Sequence, residues 1–470
     1  MQQDFSDRSE DFNGAEVEAT VQRFEEMLRT KEAVFFDEET YEQLSEYYLL
    51  KGKWEMAMRV CRIGLMNYPY SLELLLNKAQ LYINTEKFND AIEVLDTAST
   101  FNPSDPEITF MRGVIHNLMG EYEQAIELFN EAMLVSDEKE NIYFQMAQTY
   151  QNWQKFEDAA HYYNLSIRHN INNEAAYYEM VFCLEQINKL EKGIKYFQKF
   201  IDGDPFSYFS WFALGMIYSR LNKSSDAAYA YDYSVTIKED FASGWFNLAH
   251  THMNMENYRD AKEAYQRVLR YEPVSSEVLT HLGAAHEKLG ELAEAYEKYK
   301  EATKIDDQWD EAWYGMGSVL YEQERWYESI HFTKKAIKIN DANAEYWQLL
   351  ADTETKMGNI LSGIEAYSQA IELDPLNVDA WLNYSLLHFE QGEFDKAFEI
   401  VYDATEELPD EADLYYRAAV YLIYGGNYNE AYEYLQTALT INYDAHTQIY
   451  EFFSNLETQK ALHRIIEQYK

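Results

Sequence analysis

Trp211-Phe212-Ala213-Leu214-Gly215-Met216-Ile217-Tyr218 sets a large ring, a small residue and a second ring four and then three residues apart. That spacing puts all three on one face of a helix. Ala227, Tyr231 and Ser234 follow with the same intervals in a small–aromatic–small order. Between the two runs stands Asn222, a residue that tolerates the left-handed conformation ending a helix. The stretch therefore reads as helix, turn, helix.

The unit repeats. The small residue near the start of the second helix recurs as Ala57, Ala91, Ala125, Ala159, Gly193, Ala227, Ala261, Ala295, Ser329, Gly363, Ala397 and Ala431, always 34 residues apart. The small residue of the first helix keeps the same register, from Ser45, Ala79 and Gly113 through Val181 and Gly215 to Ala419. Four residues before it stands a bulky one, often Trp: Trp211, Trp245, Trp313, Trp347, Trp381. A large ring over a small residue lets two helices approach closely. Gly52, Gly120, Asn188, Asn222, Gly290, Gly358, Gly392 and Gly426 share the turn position. Pro69, Pro103, Pro205, Pro273, Pro375 and Pro409 mark the junctions, where a second helix must stop.

A period of 34 residues with W-x2-L-G-x2-Y in the first helix resembles the tetratricopeptide-repeat family. The resemblance spans residues 38–445, as twelve units. It implies an all-α, right-handed superhelical solenoid whose first helices line a concave groove holding an extended peptide or a partner helix. Residues 1–15 are polar and acidic and predict a mobile arm. Residues 16–37 predict a capping helix with Val17, Val21, Phe24, Met27 and Leu28 on its apolar face. Residues 446–470 predict helical caps: a partial first helix bearing Ile449, Phe452, Phe453 and Leu456, then a last helix that Thr458 would N-cap.

Composition narrows the function. The 39 basic residues face 82 acidic ones, for a net charge of −43. Such a surface repels nucleic acid and anionic lipid, whose binding rests on Lys and Arg neutralising phosphate. It attracts basic partners instead. No apolar run nears the ~18 residues of a membrane span. The N-terminus has neither the basic nor the apolar region of a secretory signal, and a cytoplasmic protein is expected. Cys61 and Cys183 fall four units apart, roughly 40 Å at ~10 Å per packed helix. A disulfide needs Cα atoms within ~7 Å, so buried free thiols are expected.

Catalytic motifs are missing: there is no G-x4-G-K, no C-x2-C, and His286-Glu287 lacks the following His of a zinc protease. No enzyme activity, metal or cofactor is expected. His116, His252, His286 and His388 occupy a helix-packing position. His250 and His281, near Glu277, supply two imidazoles without a third firm ligand.

Two groove chemistries of the family fail by position. Units that grip a C-terminal carboxylate resemble one another in a Lys/Asn pair, an Asn and a Lys/Arg on successive units. Here the Asn position holds Asn77, Asn247 and Asn383, but Lys and Asn are replaced by Glu42 and Glu46, Phe212 and Met216, or Gln348 and Asp352. Only Arg417 matches. An asparagine ladder would need Asn in most units, and most have none.

The groove does carry rings. The fifth position of successive first helices reads Phe110, Phe144, Tyr178, Phe212 and Phe246. Phe182 and Met216 stand one turn further on, and Phe209 replaces an acid that other units keep as Glu73, Glu107, Glu277, Glu311, Glu345, Asp379 and Asp413. These eight apolar residues are the candidate partner-binding site, although helix packing also explains part of the aromatic run. Gly193 either makes room for Phe200 or bends the stack. The expected function is a non-enzymatic scaffold or adaptor that holds a peptide or protein with apolar anchors and basic flanks. The alternative is a structural subunit that uses its convex or terminal surfaces.

Overall fold

A computed structural model describes residues 14–30, 34–136, 139–453 and 456–469, and among them every regular element is a helix. The chain forms two compact units, residues 1–238 and 239–470. In the first, a helix at Gly14–Thr30 precedes six helix pairs that begin at Glu38, Leu72, Pro106, Lys139, Glu174 and Tyr208. The second holds six pairs beginning at Ala242, Ser276, Asp310, Ala344, Val378 and Ala412, numbered here 7 to 12. It ends in a 3-10 segment, Tyr443–Phe452, and a helix, Leu456–Ile466.

The expected arm lies outside the described residues except for Gly14 and Ala15, which open the first helix. At the other end two expectations change. The segment before Phe453 is 3-10 rather than α-helical, held by Gln448 Nε2 donating to Asp413 (2.6 Å) and Tyr416 Oη donating to the Asn442 carbonyl (2.7 Å). It packs against both helices of the last pair, and its Ile449 shares a buried core with Leu462 and Ile466 of the last helix. The last helix begins at Leu456, so Thr458 sits inside its first turn instead of capping it.

First and second helices start for different reasons. Most first helices have a side-chain cap: Asp37, Ser71, Asp105, Asn173, Ser207, Ser275, Asn343 and Asn377 each accept a backbone N–H of the first turn. Such caps contribute about 1 kcal/mol each. Second helices have none and follow directly on a tight turn. In the first pair Gly52 N–H donates to the Leu49 carbonyl (3.0 Å) and Lys53 N–H to that of Tyr48 (2.9 Å), which closes the preceding helix.

That turn needs a left-handed residue. The six glycines and two asparagines named above all have φ between 53° and 85°. Four pairs place Glu86, Gln154, Glu256 or Glu324 there instead, at φ 58–59°. A side chain in this conformation costs about 1–2 kcal/mol, partly offset by the freedom glycine adds to the unfolded chain. Glu256→Gly and Glu324→Gly are therefore expected to stabilise the second unit by about 0.5–1 kcal/mol each. Urea unfolding checks this; an unchanged or lowered midpoint would contradict it.

The core follows one register position of the second helices. Cys61, Leu95, Phe129, Tyr163, Phe197 and Tyr231 are buried in the first unit, and Tyr265, Tyr299, Thr333, Tyr367, Val401 and Leu435 in the second. These residues, not the Trp four before it, close over the small residue of the first helix. A Cβ added to Gly215 would lie 2.6 Å from the Tyr231 ring, and one on Gly113 2.7 Å from Phe129. The tryptophans have a different task. The Nε1–H of Trp211, Trp245, Trp313, Trp347 and Trp381 donates to the carbonyl six residues earlier, at 2.8–3.0 Å, tying each junction. At Gly193 an added Cβ would meet Ile217 and Leu184 (2.4 and 2.8 Å), so close helix packing fixes that glycine rather than room for Phe200. Both cysteines are free, and burial pushes each thiol up to about 12.

Candidate functional site

The expected anchors fall into two classes. At the fifth position, Phe110, Phe144, Phe212 and Phe246 each meet the ring nineteen residues on, in the second helix of the same pair: Phe129, Tyr163, Tyr231 and Tyr265, at 5.5–5.9 Å. Tyr178 instead makes a T-shaped pair with Phe212, 5.4 Å away. Aromatic pairs at such distances are packing contacts.

Phe212 is 1% exposed and Phe209 5%, so neither presents a ring to a partner. Phe209 stacks on Tyr177 at 5.9 Å and meets Tyr208 at 4.0 Å. Lacking the acid usual at its position, the helix turns this ring inward, where apolar area leaves water. Phe110, Phe144, Tyr178, Met216 and Phe246 are half-buried, and Phe182 is 38% exposed, edge-on to Phe156 at 6.0 Å. Phe246 belongs to the second unit and the other seven to the first.

Elsewhere in the first unit, the first helices of pairs 2 to 4 (Leu72–Asn84, Pro106–Leu118, Lys139–Asn152) line a cleft of about 540 Å³. Its wall is rich in carboxamides: Gln80 and Asn84, then Asn117, then Gln145, Gln148, Gln151 and Asn152. Some are engaged with each other. Gln80 Nε2 donates to Asn84 (2.7 Å) and Asn152 Nδ2 to Asn117 (3.1 Å). Gln151 Nε2 donates to Glu179 (2.7 Å) while its oxygen accepts from Tyr163 Oη (2.6 Å). The family's ladder register missed this set, since it occupies mostly later positions of the first helix. A count of amides one and two turns past the fifth position would have found it.

In the second unit the second position of the first helices is an acid in five successive pairs. Glu277, Glu311, Glu345 and Asp379 are exposed and Asp413 is half-buried. Although its side chain reaches solvent, partial desolvation raises the Glu311 carboxyl above its ordinary value, and the charges of Asp310, Glu277 and Glu345 push it further. The acids thus act on one another electrostatically. Deeper on the same helices Asp352 is raised mainly by burial, although it accepts a hydrogen bond from Tyr367.

The packed histidines have a shared role. Nδ1 of His116, His286 and His388 meets Glu121, Glu291 and Glu393 at 2.5–2.7 Å, across the turn between the helices of a pair. His252 has Asn257 at that place. His281 is held below the ordinary imidazole range by burial and by His250, its ring 5.8 Å away. Among the described residues no three His, Cys, Asp or Glu side chains converge as metal ligands. None of the described helices is long and apolar enough to cross a membrane.

Capped helix pairs in strict tandem, with their first-helix faces left to line clefts, define an α-solenoid scaffold. Two family models, both described as tetratricopeptide repeat, match residues 76–137, 246–308 and 349–412 and residues 140–168 and 412–444. Together they cover more than half of the chain, which belongs to the tetratricopeptide-repeat family, a class of protein-binding scaffolds. No curated protein sequence matches it. Among solved structures it is similar to the APC/C hetero-tetramer Cut9–Hcn1, with 15% identity over 86% of this chain and 97% of that one, at a TM-score of 0.43. YrrB, a TPR protein with an unusual peptide-binding site, aligns at 18% identity over 39% of this chain and 95% of its own, at a TM-score of 0.33. The MamA protein does so at 22% over 35% and 91%, also at 0.33.

Proposed function

We propose that this protein is a non-catalytic scaffold that draws a basic segment of a partner protein onto the first-helix face of its second unit. The observation that carries this reading is the acid at one register position of five successive pairs, from Glu277 to Asp413. Acids near a helix N-terminus are also favoured by the helix dipole, but that effect does not account for Asp352, an acid kept further along at a cost in burial. The neighbouring carboxylates help to raise the Glu311 carboxyl, and a cation arriving there relieves that repulsion. Phe182 and Met216 are kept as a separate apolar contact, proposed for the first unit alone.

Steering by such a row makes association fast at low salt and slow at high salt. For a Lys-rich peptide the association rate is expected to fall by about tenfold or more between low and physiological ionic strength. Glu311→Gln/Glu345→Gln/Asp379→Asn should remove most of that dependence. The pH sign follows from the raised Glu311 carboxyl. Its folded pKa lies above the unfolded value, so it gains its proton first as pH falls, and affinity should decline through the carboxylate range. Stopped-flow association over salt and pH decides this. A neutralised variant with the parent's rate and salt slope would overturn the reading.

A further inference from the structure

We infer that a cleft between the second helices of pairs 10 and 11 is a receptor for an arginine side chain of a partner protein. It stands apart from the acidic row and does not depend on it. The cleft measures about 430 Å³. Its walls are Ile371 and Glu372 of the helix Ile360–Leu373 and Asp403, Glu406 and Glu407 of the helix Phe394–Glu407. Trp381 reaches it from the first helix of pair 11.

The junction tryptophans of other pairs show what belongs on such a ring. Twenty-two residues after each stands a residue of the second helix of the same pair. At Trp313 it is Lys335, whose Nζ lies 4.1 Å from the ring centre, and at Trp245 it is Arg267, at 5.6 Å. At Trp211, in the first unit, it is Tyr233, stacked at 4.6 Å. Pair 10 has Gln369 there, and pair 11 has Asp403. A carboxylate cannot take that place, because the face of an aromatic ring is itself negative. Trp381 is 8% exposed and lines the cleft, and among the described residues neither a cation nor a second ring lies over it.

The second observation is the charge around that ring. Glu372, Asp403, Glu406 and Glu407 are all exposed, and no described Lys, Arg or His forms an ion pair with any of them. Partial desolvation and the charges of Glu406 and Glu399 raise the Asp403 carboxyl. The cleft thus joins an aromatic ring to several carboxylates that have no cation of their own. A guanidinium suits both. It is flat and stacks on an aromatic face. Its five N–H donors serve more than one carboxylate at a time. A lysine ammonium is a point charge with three donors, and a quaternary ammonium donates no hydrogen bond. Ile371 offers the methylene stem an apolar wall.

The test uses the full chain labelled with fluorotryptophan and follows the Trp381 resonance by NMR, assigned with Trp381→Phe. The probes are the blocked amides of arginine, lysine and citrulline. Arginine should shift the resonance saturably, lysine about threefold more weakly, and uncharged citrulline at least about tenfold more weakly. Free arginine, whose own carboxylate meets the acids, should bind less tightly than the amide. Asp403→Arg supplies a guanidinium from within, as Arg267 does at Trp245, and should abolish the arginine response without lowering the melting temperature. Glu406→Gln/Glu407→Gln, at exposed positions, should weaken arginine by about fivefold or more.

An equal response to arginine and citrulline, a response that survives Asp403→Arg, or no saturable response to arginine overturns the inference. Tighter binding of free arginine than of its amide overturns the assignment to a partner protein. The acidic row is told apart by Glu311→Gln/Glu345→Gln, which should leave the arginine response unchanged. Asp403→Arg should likewise keep the association rate of the Lys-rich peptide within about twofold of the parent's.

Discussion

Phe212→Ala is expected to cost the first unit about 3–5 kcal/mol, and Phe182→Ala less than about 1 kcal/mol. The two residues carry the same side chain and stand in neighbouring first helices, so sequence alone ranks them together. Phe212 is fully buried between Tyr178 and Tyr231, and truncation there leaves a cavity that the surrounding rings cannot fill. Phe182 keeps over a third of its surface in water and has one edge-on contact, with Phe156. In a repeat array each pair stabilises only its neighbours. Hydrogen exchange in Phe212→Ala should therefore accelerate in pairs 5 and 6 while pairs 1 and 2 stay protected. The binding readout runs the opposite way: Phe182→Glu should fold normally and lose partner. Equal destabilisation by the two alanine variants would mean that Phe182 is packed as well, and would remove it as an anchor.

Gly315→Val should unfold much of the second unit's centre, with a loss of about 3 kcal/mol or more. The Tyr299 ring lies against two glycines. A Cβ on Gly315 would come within 2.4 Å of it, and one on Gly283 within 2.8 Å. The ring has nowhere to retreat, and its hydroxyl donates to Glu287 at 2.6 Å, which pins its far end. Valine adds two methyl groups where even the first carbon clashes. Tyr299→Leu combined with Gly315→Val should recover part of the loss, because the smaller side chain opens the space that the added carbons need. Thermal unfolding of the two singles and the double gives the coupling. Additive losses would show that the glycine is required for a reason other than this ring.

Much of the architecture was legible because tandem packing writes itself into the chain. A pair that must stack on identical neighbours puts the same demand on the same position every 34 residues, and Ala57 to Ala431 record that demand twelve times. The turn was legible for the same reason at its eight Gly and Asn positions. It was hidden at Glu86, Gln154, Glu256 and Glu324, where the fold imposes the left-handed conformation on residues with no preference for it. Thr458 shows the limit of reading a cap from residue type alone, because the helix starts two residues earlier.

The candidate site divides in the same way. Position on a first helix follows from the register, so the sequence by itself placed the rings and the acids on one face, while the amides were missed. It did not say which of them stay in water. That depends on how deep a neighbouring ring reaches, which in turn depends on residues in another helix: Tyr231 covers Phe212, Tyr177 covers Phe209, and no ring closes over Phe182 in the same way. The cleft around Gln145 is of this kind too, since three helices make it and no single repeat contains it. The sequence determined the repeat, its register and the chemistry of each face. Only tertiary packing decided exposure, because burial is a property of a residue's neighbours in space and the 34-residue period fixes where they come from but not how far they reach.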